Sequence, residues 1–466
     1  MPMYLKRVAV FAAAAVALSL VNQAGAQQWP PELPGAVKGT VTIRTDDFLK
    51  IPPDVATLRT NANCAPFEMA KTAPVVELAY HTGLPNPALN GTGWSAWGDI
   101  GVGSNGVVYS GTGDHGNNET GAYCFVYAWD PAAKELKQIL DVNAVSKHQP
   151  GDVYWSKVHA GILEGADGMI YVITTLNDGG TAFEHKWTAN VPGSPIFRYD
   201  PGTGKTDLAG HLPAQCTATT LMDKQRNILY MMLEGKFAKA VALAAFDLTS
   251  RQFVYTSPYD AVTQDRNMAL AKNGCVYFNG KGGLWKYDPA KKEIKATRMV
   301  FAGGACMRSS AAESPDGWIY GSTFGGDKTV QQSIFRFSPA SEKLEMLGPD
   351  FLDGDYTTVC ALSSDGQYLY FLPGAHGSSL KIGTPVVQYN VKTGKRKVLA
   401  FLQDAVLGKT GYVPCGTYGV KLSADNATLY VNLNGHATEK LRLPKMPSNG
   451  FGLTAFMALH IPVSER

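Results

Sequence analysis

Charge is scarce in this chain. Asp, Glu, Lys and Arg make up 17% of its 466 residues, and the net charge is +3. So small a surplus, with no run of Lys or Arg, excludes the footprint of a nucleic-acid binder. Cysteine occurs, but not in its metal or haem patterns. None of Cys64, Cys124, Cys216, Cys275, Cys306, Cys360 and Cys415 forms CxxC or CxxCH. That excludes a zinc ribbon and a c-type haem. The odd count leaves at least one thiol unpaired within the chain. Disulfides and buried free thiols both stay open for the others.

Long apolar runs are missing after the first residues. Val8 to Val21 is one apolar stretch, preceded by Lys6 and Arg7 and followed by Ala24-Gly25-Ala26. It is shorter than the roughly 20 residues a membrane span needs. Its order is that of a signal peptide cleaved before Gln27. The expected division is therefore a signal peptide over 1–26, an N-terminal extension over 27–74 and the folded body over 75–466. The mature protein is expected in the periplasm or outside the cell, with no membrane span.

Glycine, by contrast, is abundant, with 49 copies. Low charge with many glycines and aromatics fits short strands joined by turns. One strand signature recurs. It reads Ser104-Asn105-Gly106-Val107-Val108-Tyr109, then Ala166-Asp167-Gly168-Met169-Ile170-Tyr171, and ends in Tyr again at 230, 277, 320, 370 and 430. The tyrosines lie 62, 59, 47, 43, 50 and 60 residues apart. The Asx-Gly pairs supply the φ > 0 positions of tight hairpins. A second signature follows, as in Val126-Tyr127-Ala128-Trp129-Asp130-Pro131, Ile196-Phe197-Arg198-Tyr199-Asp200-Pro201 and Leu284-Trp285-Lys286-Tyr287-Asp288-Pro289. Each is an alternating strand running into a turn. An inner strand precedes each Tyr strand, as over Val158 to Leu163, and a fourth follows, as over Leu136 to Val142.

Four strands per unit, seven times over, predict an all-β fold, the seven-bladed β-propeller. The last unit runs out of chain after Phe456 to Ile461. Its fourth strand must come from ahead of the first blade, and Val75 to Tyr80 is the candidate. An N-terminal strand that completes the last blade closes the ring and removes a bare sheet edge. Sandwiches do not repeat at this period, so two packed β-sandwiches are disfavoured.

Inner strands line the channel of such a ring. The loops entering them share a face with the loops joining second to third strands, and that face is the usual ligand site. The second-to-third loops carry His115, His185, His376 and His436. His159 falls on the inner strand of blade two, and His148 lies in the loop before it. Arg266 and Arg308 start the inner strands of blades four and five, and Tyr356 and Tyr418 those of six and seven. A polar, partly cationic funnel suits an acidic ligand such as a carboxylated sugar. Elimination from a uronic acid needs a cation for the enolate, a base for the α-proton and an acid for the leaving oxygen. Arg266 or Arg308, His159 and Tyr418 are available for these roles. The bland alternative is that the loop histidines only make turns, and that the arginines pair with acids such as Asp265.

Lys157-Val158-His159-Ala160-Gly161-Ile162-Leu163-Glu164-Gly165-Ala166-Asp167-Gly168-Met169-Ile170-Tyr171, with Phe197-Arg198-Tyr199-Asp200-Pro201-Gly202-Thr203-Gly204-Lys205, resembles a pattern in bacterial propellers related to ulvan-type polysaccharide lyases. Of that family's site residues His159 alone is matched position by position, and the resemblance implies a catalytic role for it. Where family members often carry a second His after the Tyr strand, this chain reads Thr174-Thr175-Leu176-Asn177. Three rival readings stand beside a secreted lyase for an acidic glycan. One is a non-catalytic, ligand- or glycan-binding propeller. The second is a metal-dependent lactonase or hydrolase, with a divalent cation held by Asp114, Asn177, Asp178 and the loop histidines; no HExxH motif occurs. The third is a quinone-dependent dehydrogenase, suggested by Thr203-Gly204-Lys205 and Thr393-Gly394-Lys395. The Trp expected after each such turn is missing, which disfavours a quinone.

Overall fold

Seven hairpins turn where the repeat puts its Gly or Asn. Gly106, Gly168, Asn227, Gly274, Gly317, Gly366 and Asn426 all take positive φ, between 57° and 89°. Glycine adopts this conformation without steric cost and Asn tolerates it best among the rest, so the turn chemistry sets where each second strand begins. The computed structural model describes residues 29–60, 64–85, 93–114, 116, 121–149, 151–176, 192–234, 241–326, 331–352, 356–437 and 452–466. The proposed signal peptide, His115, Asn177, Asp178 and His185 lie outside them.

The described strands form seven antiparallel-based sheets of four or five strands, one per repeat, arranged as the blades of a β-propeller. Pairing register is repeated as well as strand order. Tyr109 lies across from Ala128, Tyr171 from Arg198, Tyr230 from Ala245, and Tyr277 from Lys286. Tyr320 faces Arg336, Tyr370 faces Gln388, and Tyr430 faces Ala458. In every blade the tyrosine therefore meets the third residue of the second signature.

The hydrophobic core is divided into seven clusters, one between each pair of neighbouring blades. Tyr109 packs toward blade two and Tyr171 toward blade three. Tyr230, Tyr277 and Tyr320 pack toward blades four, five and six. Tyr370 packs toward blade seven, and Tyr430 toward blade one. Side chains alternate faces along a strand, so the residue before each tyrosine enters the preceding interface. Val108, for example, packs with Tyr430 and Phe456. All seven tyrosines are at most 5% exposed. They hold blades together.

Ring closure follows the expected route. Val75–Tyr80 pairs antiparallel with Leu453–His460, completing the last blade. Thr40–Ile43 adds a fifth strand outside it. Phe67–Met69 adds a parallel strand to the outer edge of blade six. The extension thus covers two blade edges that would otherwise present unpaired backbone groups. Glu465, 3% exposed, clasps this arrangement. Its Oε1 accepts from the Lys71 and Thr72 amides at 2.7 and 3.0 Å, and its Oε2 meets Lys397 Nζ at 2.7 Å.

Two strand boundaries differ from expectation. The fourth strand of blade one is Glu135–Asp141, and Val142 begins a helical turn capped by the Asp141 side chain. In blade two only Leu163–Glu164 pairs regularly, plus a bridge from Lys157 to Thr175. Residues between them bond to neighbouring inner strands instead. Ile162 N donates to Asp99 O at 3.2 Å, and Thr220 Oγ1 donates to Gly161 O at 3.0 Å. The Cys question resolves against disulfides: none of the seven cysteines is in one, and Cys124, Cys216, Cys360 and Cys415 are buried. Among the described residues no helix is long and apolar enough to cross a membrane.

Candidate functional site in the central channel

The inner strands run side by side around the ring axis and bring residues from distant repeats to one level. Arg266 lies in Gln264–Leu270 and Arg308 in Ala305–Ser310. Tyr418 lies in Tyr412–Leu422. His159 sits in the irregular stretch of blade two, freed from its own ladder. Together with Trp97 and Thr358 they form one end of a cavity of about 630 Å³. His159 and Tyr418 are each 5% exposed and Arg308 is 6% exposed.

The contacts at this level are specific. Arg266 Nη1 donates to His159 Nε2 at 3.1 Å. A guanidinium has no acceptor, so Nε2 contributes its lone pair and carries no proton in this pairing. The Arg308 guanidinium lies 5.7 Å from the Tyr356 ring centre and 5.8 Å from that of Tyr418. Its Nη1 donates to Thr358 O at 3.2 Å. Trp97 meets Tyr418 edge-on, with ring centres 4.8 Å apart. These large side chains crowd one level of the channel.

Open space therefore lies on the other side of the cluster, toward the hairpins joining first to second strands. There the cavity is lined by Glu164, Lys224, Ser364, Lys421 and Asn426. This departs from the expected loop-face pocket. His436 is correspondingly away from the cavity lining: its Nδ1 lies 3.4 Å from Cys415 Sγ. His376 belongs to the helical segment Ala375–Ile382, and its side chain, like that of Asp265, lies outside the described residues. Asp114 is committed to its loop, with Oδ1 accepting from the Gly116 and Tyr123 amides. No group of three or more His, Cys, Asp or Glu suited to a metal occurs among the described residues.

The electrostatics of the cavity are lopsided. Its two acids are paired, Asp99 with Lys421 and Glu164 with Lys224. Of the two arginines that line it, Arg308 is the one whose charge stands out. Among the described residues no carboxylate pairs with Arg308. Burial pulls its guanidinium below the usual arginine range, and Arg266 adds to this. A buried cation without a counter-ion is costly and is relieved by an incoming anion. Burial, and then Tyr356, push the Tyr418 phenol well above its usual range, so it keeps its proton.

Trp97, Lys421 and the aliphatic lining were not singled out from sequence. The aliphatic lining did carry a signal: Leu270 and Leu422 each stand four residues after Arg266 and Tyr418, which were expected near the channel. Equal spacing to the hairpin places side chains at equal depth.

No protein-family model matches the chain, and no curated protein does. Among solved structures, the extracellular domain of a hybrid two-component system from B. thetaiotaomicron gives a TM-score of 0.48 at 10% identity, over 78% of this chain and 39% of that one. This chain thus spans well under half of that protein's length. A chain of the mitotic checkpoint complex also gives 0.48, at 11% identity, over 86% of this chain and 94% of that one. At this level of similarity neither carries an argument about the site.

Proposed function

We propose that the central channel binds a small anionic ligand through a carboxylate, with Arg308 and Arg266 as its counter-ions. The observation that carries this is Arg308, buried between two tyrosines with no carboxylate partner among the described residues. A cavity of about 630 Å³ falls within the range of about 300–1,000 Å³ used for small-molecule ligands. The charge-assisted bonds Arg308 would make are worth about 1.5–3 kcal/mol each. Arg308→Met, nearly isosteric, should therefore weaken carboxylate binding by about 10- to 150-fold in calorimetry. Unchanged affinity in a folded variant would sink this assignment.

A second reading is elimination from a uronic acid. It is favoured by His159, Arg266 and the proton-retaining Tyr418 lining one cavity. A substrate carboxylate that draws Arg266 away would release the His159 lone pair to act as base, while Tyr418 protonates the leaving oxygen. Absorbance at about 235 nm on a panel of acidic polysaccharides tests it, since elimination creates a conjugated double bond. His159→Ala should abolish any such signal and leave binding in place. Turnover at the wild-type rate in that variant removes His159 from the role.

Export belongs to the same reading, on the charged, apolar and small-residue order of residues 1–26. N-terminal sequencing of the mature protein should begin at Gln27.

A further inference from the structure

The walls between the arginines and the hairpin mouth carry an aliphatic band. Val102, Met222, Leu270, Leu362 and Leu422 come from five blades and occupy one register, each paired with the residue before its blade's tyrosine. All five are half-buried and line the cavity. They pack inward only partly, and the surface they leave faces the channel as an apolar collar. From Arg266 to Leu270, or Tyr418 to Leu422, is four residues along a strand, or ~13 Å.

Several polar groups in the same wall are already engaged. Thr220 Oγ1 donates to Gly161 O at 3.0 Å, and Thr358 Oγ1 donates to Thr417 O at 2.6 Å. Asn267 Nδ2 donates to Ser310 Oγ at 2.9 Å, and that hydroxyl donates to Met268 O at 3.0 Å. A sugar would bring hydroxyls that need partners along this length, and desolvating them without partners is unfavourable. An apolar body would instead be gained by the collar.

We propose that the channel's ligand is a carboxylic acid with an apolar body, its head at Arg308 and its chain against the collar of Val102, Met222, Leu270, Leu362 and Leu422. This rests on the anion-binding reading above and narrows the ligand class.

The test is calorimetry of the full mature chain with butanoate, hexanoate, octanoate and decanoate, with galacturonate as the polar carboxylate and 1-octanol as the uncharged control. Affinity should rise about fourfold per added methylene, which corresponds to about 0.8 kcal/mol. Octanoate should exceed galacturonate, and 1-octanol should bind far more weakly than octanoate. Leu270→Gln and Leu422→Gln, at half-buried positions, should flatten the chain-length slope, weakening decanoate far more than butanoate. Galacturonate binding as tightly as octanoate, with no slope, overturns the apolar-body assignment and leaves the anion site standing. Silence from every carboxylate overturns both. Octanol binding as well as octanoate overturns the role given to Arg308.

Discussion

His81 offers a stability test that isolates one side chain at the ring closure. It follows directly on the closing strand, is fully buried, and its amide donates to Thr454 O in the last blade at 3.3 Å. Its Nε2 lies 3.0 Å from Ser110 Oγ in blade one, its ring packs edge-on to Tyr127, and Nδ1 has no hydrogen-bond partner among the described residues. A charged imidazole there would be desolvated with no anion to meet it. Burial accordingly pulls its pKa from 6.5 down to about 4. The folded protein holds His81 neutral, whereas the unfolded chain takes up a proton below about 6.5. Stability is therefore complete above about pH 6.5, falls as pH drops, and levels off near pH 4, where both states are protonated. At about 1.4 kcal/mol per factor of ten in proton affinity, the gap amounts to about 3 kcal/mol. His81→Gln keeps a polar side chain near Ser110 and removes the titration. Urea unfolding of both proteins from pH 7.5 to 4 should give curves that converge or cross as pH falls, the wild type losing about 3 kcal/mol more. Carboxylates held low in the fold, such as Glu164 and Glu465, lose their contribution at the acid end in both proteins, so the difference belongs to His81. Parallel curves throughout would refute the reasoning.

Two further outcomes follow from the closure and the thiols. Glu465→Ala leaves the Lys71 and Thr72 amides without their acceptor and Lys397 without its partner. It should cost about 2–4 kcal/mol, seen as a lower Tm and faster proteolysis within 29–74; a wild-type Tm would show that the clasp is dispensable. Native protein should react with a thiol reagent at no more than Cys64, Cys275 and Cys306, because Cys124, Cys216, Cys360 and Cys415 are buried. Burial also pushes the Cys360 and Cys415 thiols up to about 12. All seven should react in guanidinium, and fewer than seven would mean that disulfides are present.

The blade count, the hairpin turns, the tyrosine interfaces and the closing strand were all legible in the residues themselves. Each is a local matter. An Asn or Gly at positive φ sets a turn, period-2 alternation sends Tyr109 and its six counterparts to one face, and a last unit one strand short needs a partner from elsewhere. The site was legible only in part. His159, Arg266, Arg308 and Tyr418 were expected near the channel and do line one cavity, but its opening toward the hairpins was not foreseen. Nor was the separation of His436, which belongs beside Cys415. Strand alternation says which face a side chain takes, not whether a channel is filled or open at its depth. That depends on side-chain bulk summed over seven blades whose inner strands lie tens of residues apart in the chain. Trp97, Arg308 and Tyr418 fill one level together, and only the closed ring puts them there. The strand register of His159 shows the same limit, since its segment leaves its own ladder to bond Asp99 and Thr220 of the neighbouring blades. Local chemistry determined the units and their stacking; the meeting of distant units at the axis determined the site.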